Sequence, residues 1–145
     1  MFKHLLLPTD GSALSRAAIE RGLQLAKSLQ AQITGLYVMP QFHVLAYQAE
    51  MLADTEQQFA ADCKAHAGRY LAVVDQGAHA MGVACNTVAA TSDHPFEAII
   101  QTARDQGCDL IVMASHGRRG VRGLLLGSET HKVLTHSTMP VLVFR

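Results

Sequence analysis

Leu110-Ile111-Val112-Met113 is an unbroken apolar run, too short for an ordinary helix and without the alternation of a half-buried strand. Such a run needs cover on both faces, which a parallel sheet obtains when crossover helices lie on each side of it. The rest of the chain repeats the same rhythm. Leu5-Leu6-Leu7 opens a first strand, Ile33 to Val38 a second and Val83 to Ala90 a third; Asp109 to Ala114 is the fourth and Val141 to Phe144 the fifth. Helical spacing fills the intervals. Leu14, Ala18, Gly22, Leu25 and Leu29 form one stripe after Ser12, and Leu52, Phe59, Cys63, Tyr70 and Val74 another between about Ala46 and Ala80. Phe96, Ile99, Ile100 and Ala103 form a third stripe, and Ser128 to His136 is the last helix. Ser12 and Asp93 are placed as N-caps, and Pro95 suits a first turn. No linker or repeat interrupts the order βαβαβαβαβ, so residues 1–145 are expected to form one doubly wound α/β domain with an open parallel sheet.

Composition narrows the partners. Twelve basic residues balance twelve acidic ones, so no net field steers the chain toward nucleic acid or anionic lipid. No window approaches the roughly 20 apolar residues of a membrane span, and the N-terminal apolar run is too short for a secretory signal. The three cysteines, Cys63, Cys85 and Cys108, form no CxxC pair. Cys85 and Cys108 fall in apolar stretches, where a thiol is buried and inert. A cytoplasmic protein is the expectation.

In a doubly wound sheet, ligands sit beyond the carboxyl ends of the strands, where the winding reverses. Among the loops at that edge, the one after the fourth strand carries the most chemistry. From Ala114 to Ser128 it holds four glycines and three arginines. Glycines let backbone N–H groups close on an anion, and the start of the final helix at Gly127-Ser128 adds its own N–H groups and dipole. Arg118, Arg119 and Arg122 offer positive charge. The residues alone fit a phosphate site or a solvated surface loop equally well.

Met113-Ala114-Ser115-His116-Gly117, nine residues, and then Gly127-Ser128 resemble the ATP-binding signature of universal stress proteins. That signature is a glycine, two residues, a second glycine, nine residues, and a glycine followed by serine or threonine. Gly117, Gly127 and Ser128 match it, and Ala114 stands where the first glycine belongs. Leu7-Pro8-Thr9-Asp10-Gly11-Ser12 and Met139-Pro140-Val141-Leu142-Val143 resemble the family's opening and final strand, so the similarity spans the chain.

The resemblance implies a Rossmann-like sheet of the adenine nucleotide alpha hydrolase type, with strand order 3-2-1-4-5. It implies adenine near Pro8, Thr9, Asp10 and Val38. Ribose and phosphates would lie along Met113, Ala114, Ser115, His116, Gly117, Arg118, Arg119 and Gly120, with Ser128, Glu129 and Thr130 closing the site beside Gly127. Asp10 either bonds the adenine or ribose or serves the first helix's N-terminus. Glu129 is awkward beside phosphate unless it reaches a magnesium ion or points outward. Alanine at 114 costs about 1 kcal/mol if the position demands positive φ. ATP is the expected ligand, with Mg2+ or Mn2+ held mainly by its phosphates and by water rather than by a protein metal site.

Known catalytic patterns are missing. There is no GxxxxGK[ST] loop, no GxGxxG after the first strand and no GxSxG elbow. Nothing positions a water or hydroxyl for in-line attack on phosphate. The reading is therefore a nucleotide-responsive regulator in stress response with slow or no hydrolysis. A modest or autophosphorylating ATPase and a dimeric interaction module without nucleotide are the alternatives. Val141 to Phe144 is an edge strand without charge, which a homodimer would cover. Protein partners are not identified by any motif.

Overall fold

A computed structural model describes residues 1–43, 49–117 and 126–145. Its elements follow in strict alternation: β1 (His4–Thr9), α1 (Ala13–Leu29), β2 (Gln32–Met39), α2 (Ala49–Met81), β3 (Cys85–Thr91), α3 (Pro95–Asp105), β4 (Leu110–Ala114), α4 (Ser128–His136) and β5 (Val141–Phe144). All five strands are parallel, in the order β3-β2-β1-β4-β5.

The apolar runs lack alternation because both faces of the central strands are covered. Leu5 and Leu7 face a cluster built with Ile19, Leu23 and Ala26 of α1 and Val74 and Ala78 of α2. Leu6 points the other way, among Ile99 and Ala103 of α3 and Val133 of α4. β4 divides likewise, with Leu110 and Val112 on the first face and Ile111 and Met113 on the second.

β1 pairs with β2 over its whole length, from His4–Gln32 to Thr9–Tyr37. With β4 it shares only Leu5–Leu110 and Leu6–Ile111. The two central strands therefore part beyond Leu6. Pro8, which has no N–H to offer a ladder, sits in the stretch that has already left β4. That fork is where the winding reverses.

Several boundaries differ from the sequence reading. β3 starts at Cys85, not Val83, because Val83 closes α2: its N–H bonds the Ala78 carbonyl at 2.9 Å across Gly82, whose φ is +69°. Gly107, also at +69°, ends α3 in the same way. The buried stripe of α1 is Ser15, Ala18, Ile19, Gly22, Leu23 and Ala26, so Leu14, Leu25 and Leu29 flank it. Among the described side chains of α2 the buried positions are Ala67, Leu71, Val74 and Ala78; Tyr70, Phe59 and Cys63 are half-buried, and Leu52 lies outside the described side chains.

The N-caps divide. Ser12 caps α1, its hydroxyl accepting from the Ser15 N–H at 3.2 Å. Asp93 does not cap α3; His94 holds that position without a side-chain bond. Asp93 instead accepts from the Gln41 N–H at 3.1 Å and pairs with the His43 ring, joining the loops after β2 and β3. Among the thiols, Cys108 is buried as expected, but Cys85 is only half-buried. Partial burial, followed by the nearby Asp75 charge, raises the Cys85 pKa, so that thiol is held protonated despite its exposure.

Candidate functional site

Two loops meet at the fork. After β1 the chain turns through Asp10-Gly11-Ser12, and each side chain there is wired to a neighbouring backbone group. The Thr9 hydroxyl, buried, accepts from the Gly11 N–H at 3.1 Å and lies 3.3 Å from the Ser15 hydroxyl. Asp10 accepts from the Ser12 N–H at 2.9 Å through one carboxylate oxygen. Its other oxygen, Oδ2, lies in the space that a β-carbon on residue 117 would need. Asp10 thus serves the entry to α1 and also faces the loop after β4. A side chain at position 117 would have to displace that carboxylate.

On the β4 side the loop departs and returns at one point. The Ser115 N–H bonds the Phe144 carbonyl of β5 at 2.7 Å, and the Ser115 carbonyl accepts from the Gly127 N–H at 2.7 Å. A β-carbon on Gly127 would come within 2.9 Å of His116 Cβ and 3.0 Å of its Cα. Small size is therefore required where the loop re-enters α4. The bond between Ser115 and Gly127 forms a closed neck. Gly127 is the N-cap of α4 and contributes no side-chain bond to the first turn, and among the described residues no other side chain caps that helix end.

The anticipated residues that the structure describes can be placed on this frame. Pro8, Thr9 and Asp10 line the end of β1, and Val38 lies beside them in β2, half-buried against the second cluster that also holds Met113. Ala114 and Ser115 are buried, His116 half-buried with Nδ1 3.1 Å from the Ser115 hydroxyl, and Gly117 exposed. Ser128 is exposed at the first turn of α4. Arg118, Arg119 and Gly120 lie outside the described residues, as does Arg122.

Two residues have commitments that the sequence did not reveal. The Thr130 hydroxyl is buried and donates to the Ala114 carbonyl at 3.0 Å, so it braces the neck. Glu129 turns toward α3, where its Oε2 accepts from the Phe96 N–H at 2.9 Å, while Oε1 meets Lys132 at 3.2 Å. A carboxylate beside an anion site is tolerable when its charge is spent on the N-terminus of another helix. Ala114 is an ordinary strand residue: among described non-glycine residues only Gln30 has positive φ. The strain considered for that position does not arise.

Among the described residues no group of three or more His, Cys, Asp or Glu side chains converges as metal ligands. No helix there is long and apolar enough to cross a membrane.

Comparison with known proteins agrees with this architecture. The model of the universal stress protein family matches residues 1–145. Universal stress protein YxiE of Bacillus subtilis is 32% identical over 152 aligned residues, covering 100% of each chain. The solved structure of hypothetical protein MJ0577, from Methanocaldococcus jannaschii, aligns with a TM-score of 0.79 at 26% identity, covering 99% of this chain and 95% of that one. An Arabidopsis thaliana universal stress protein family member with AMP bound shares the fold, with a TM-score of 0.69 at 21% identity and coverage of 98% and 90%. By full-length match and by fold, the chain belongs to the universal stress protein family.

Proposed function

We propose that this chain binds an adenine nucleotide, with ATP as the working ligand, across the carboxyl ends of β1 and β4, and acts as a regulator with slow or no hydrolysis. The observation that carries this reading is the neck at the fork: Gly117 packed on Asp10, Gly127 packed on His116, and an α4 first turn without a side-chain cap. The N–H groups of Ser115 and Gly127 close this neck, and what it presents at the fork is the positive end of α4 with the N–H groups of its first turn. Val38 and Met113 offer an apolar wall on the same side of the sheet for a base, and Asp10 offers an acceptor. The AMP-bound relative supports an adenine nucleotide in this fold.

In this reading Ser128 and the N–H groups of residues 128–130 hold phosphate, and Mg2+ rides on the phosphates. Pro8, Thr9, Ala114, Ser115, His116 and the glycines shape the cleft, while Glu129 and Thr130 hold α4 in place. Arg118, Arg119 and Gly120 are read as serving the phosphates, and nucleotide occupancy changes the surface offered to partner proteins in a stress response. The protein acts in the cytoplasm as a homodimer joined along β5.

Calorimetry with ATP and magnesium tests the reading. Wild type should show saturable heat, and Gly117→Val should lose it while keeping its far-UV spectrum. Absence of binding by wild type, together with no nucleotide released when the purified protein is heat-denatured, would overturn it. Steady-state phosphate release should stay near background; turnover abolished by Gly117→Val would favour the ATPase alternative.

A further inference from the structure

On the opposite side of β1 from Val38 and Met113, between the start of α1 and the middle of α2, lies a second cleft. It has a volume of about 180 Å³ and is lined by Thr9, Gly11, Arg16, Arg69, Tyr70 and Val73. We propose that this cleft is a binding site for a small oxyanion, a phosphate group in particular, held between Arg16 and Arg69.

The argument starts from the two arginines. They come from different helices and line one concavity, in a chain whose twelve basic and twelve acidic residues otherwise balance. Neither is ion-paired among the described residues; the pairs found there are His43–Asp93 and Lys132–Glu129. Two arginines from separate elements that line one cleft give it a positive field, and guanidinium groups match phosphate oxygens in a planar, bidentate fashion. No carboxylate is among the lining residues, which supply the Thr9 hydroxyl, the Gly11 backbone, the Tyr70 ring, the apolar Val73 side chain and two guanidinium groups.

The walls are built. Tyr70 packs its ring on Gly11, which lies at φ +77°, in the space a side chain would occupy. Tyr37 braces that ring edge-on with centroids 5.3 Å apart, and Arg69 lies 5.9 Å from its centre. The arginine head is thereby held over an aromatic face at the cleft wall. The first turn of α1 carries no acidic residue, so the helix's positive end adds to the field of Arg16 rather than opposing it. The volume suits a phosphate with a few waters, given about 30 Å³ per water, and is too small for a whole nucleotide.

This cleft is separate from the nucleotide site, although both touch the Thr9–Gly11 turn. Inorganic phosphate and glycerol phosphate, titrated separately into 15N-labelled nucleotide-free protein, test the proposal. Saturable amide shifts should appear at Gly11, Arg16, Arg69 and Tyr70. Arg16→Gln and Arg69→Gln should each weaken binding by at least about tenfold, the loss expected for one charge-assisted contact. Both arginines are exposed, and an unchanged thermal midpoint will show that the variants fold. Gly117→Val should leave these shifts intact even if it abolishes ATP binding, which separates this proposal from the nucleotide reading. Tighter binding of the ester than of the free ion identifies a phosphorylated small molecule as the ligand; equal binding identifies the free oxyanion. Shifts confined to residues 114–130, no saturation at tens of millimolar, or unaltered binding in both arginine variants would each overturn the proposal.

Discussion

Glu129 of α4 accepts a hydrogen bond from the Phe96 N–H of α3, 2.9 Å long, and so caps the N-terminus of a neighbouring helix that lacks a side-chain cap of its own. The contact fixes how the first turn of α4, the proposed phosphate seat, is aimed. Glu129→Ala leaves an α3 N–H without its acceptor and should destabilise the fold by about 1–2 kcal/mol in urea unfolding. Glu129→Gln keeps an acceptor but loses the charge at the helix end, and should cost less than the alanine change. If Glu129 instead served the nucleotide directly, Glu129→Gln would change ATP affinity markedly while leaving stability alone.

Ala114 gives a second prediction. It lies in extended β4, buried, with its carbonyl engaged by Thr130 and without positive φ. Restoring the family's glycine therefore relieves no strain. Ala114→Gly should lower stability by about 0.5–1 kcal/mol, the usual backbone-entropy cost of glycine in a strand. ATP affinity should change by no more than a few-fold by calorimetry. A gain of tenfold or more would mean that the methyl group crowds the ligand.

These residues also show what could be read from sequence and what could not. The five strands and their parallel arrangement were legible because runs such as Leu5-Leu6-Leu7 and Leu110–Met113 are apolar on both faces. The stripe of α1 was right at Ala18 and Gly22 but missed Ser15, Ile19, Leu23 and Ala26, because Leu14, Leu25 and Leu29 on its flanks repeat at helical spacing too. The α2 stripe was blurred because the buried positions described there, Ala67 to Ala78, fall in its second half. At the site, the glycines stood out by spacing. The role of Glu129 did not, since its partner is a backbone N–H 33 residues away and backbone donors leave no mark on the sequence. The arginine cleft was hidden for a similar reason: only folding puts Arg16 and Arg69 on the walls of one cleft.

The exposed edge at β5 supports a third prediction. Leu142 is 36% exposed, whereas Val141 and Val143 pack toward the second cluster. An uncharged edge strand invites pairing with its own copy. Sedimentation at micromolar concentration should show a dimer, and Leu142→Lys should shift it toward the 15.7 kDa monomer with little change in thermal midpoint. A wild type that is monomeric under these conditions would refute pairing along β5.

Cys108 closes the turn after α3 and is buried between the helix end and the sheet. Burial pushes its thiol up from 9.0 to about 11; the Asp109 charge adds to the shift and a hydrogen bond from Thr34 offsets part of it. The unfolded chain therefore releases this proton at lower pH than the folded chain does. The stability this contributes is complete below pH 9 and is lost as pH rises toward 11. Urea unfolding followed across that window should show wild type losing stability more steeply than Cys108→Ala, although the alanine variant starts lower for want of the buried sulfur. Thiol labelling of the native protein near neutral pH should leave Cys108 unmodified until the chain unfolds. Parallel slopes for the two proteins, or rapid native labelling of Cys108, would show that the thiol is not shielded as its position in the fold requires.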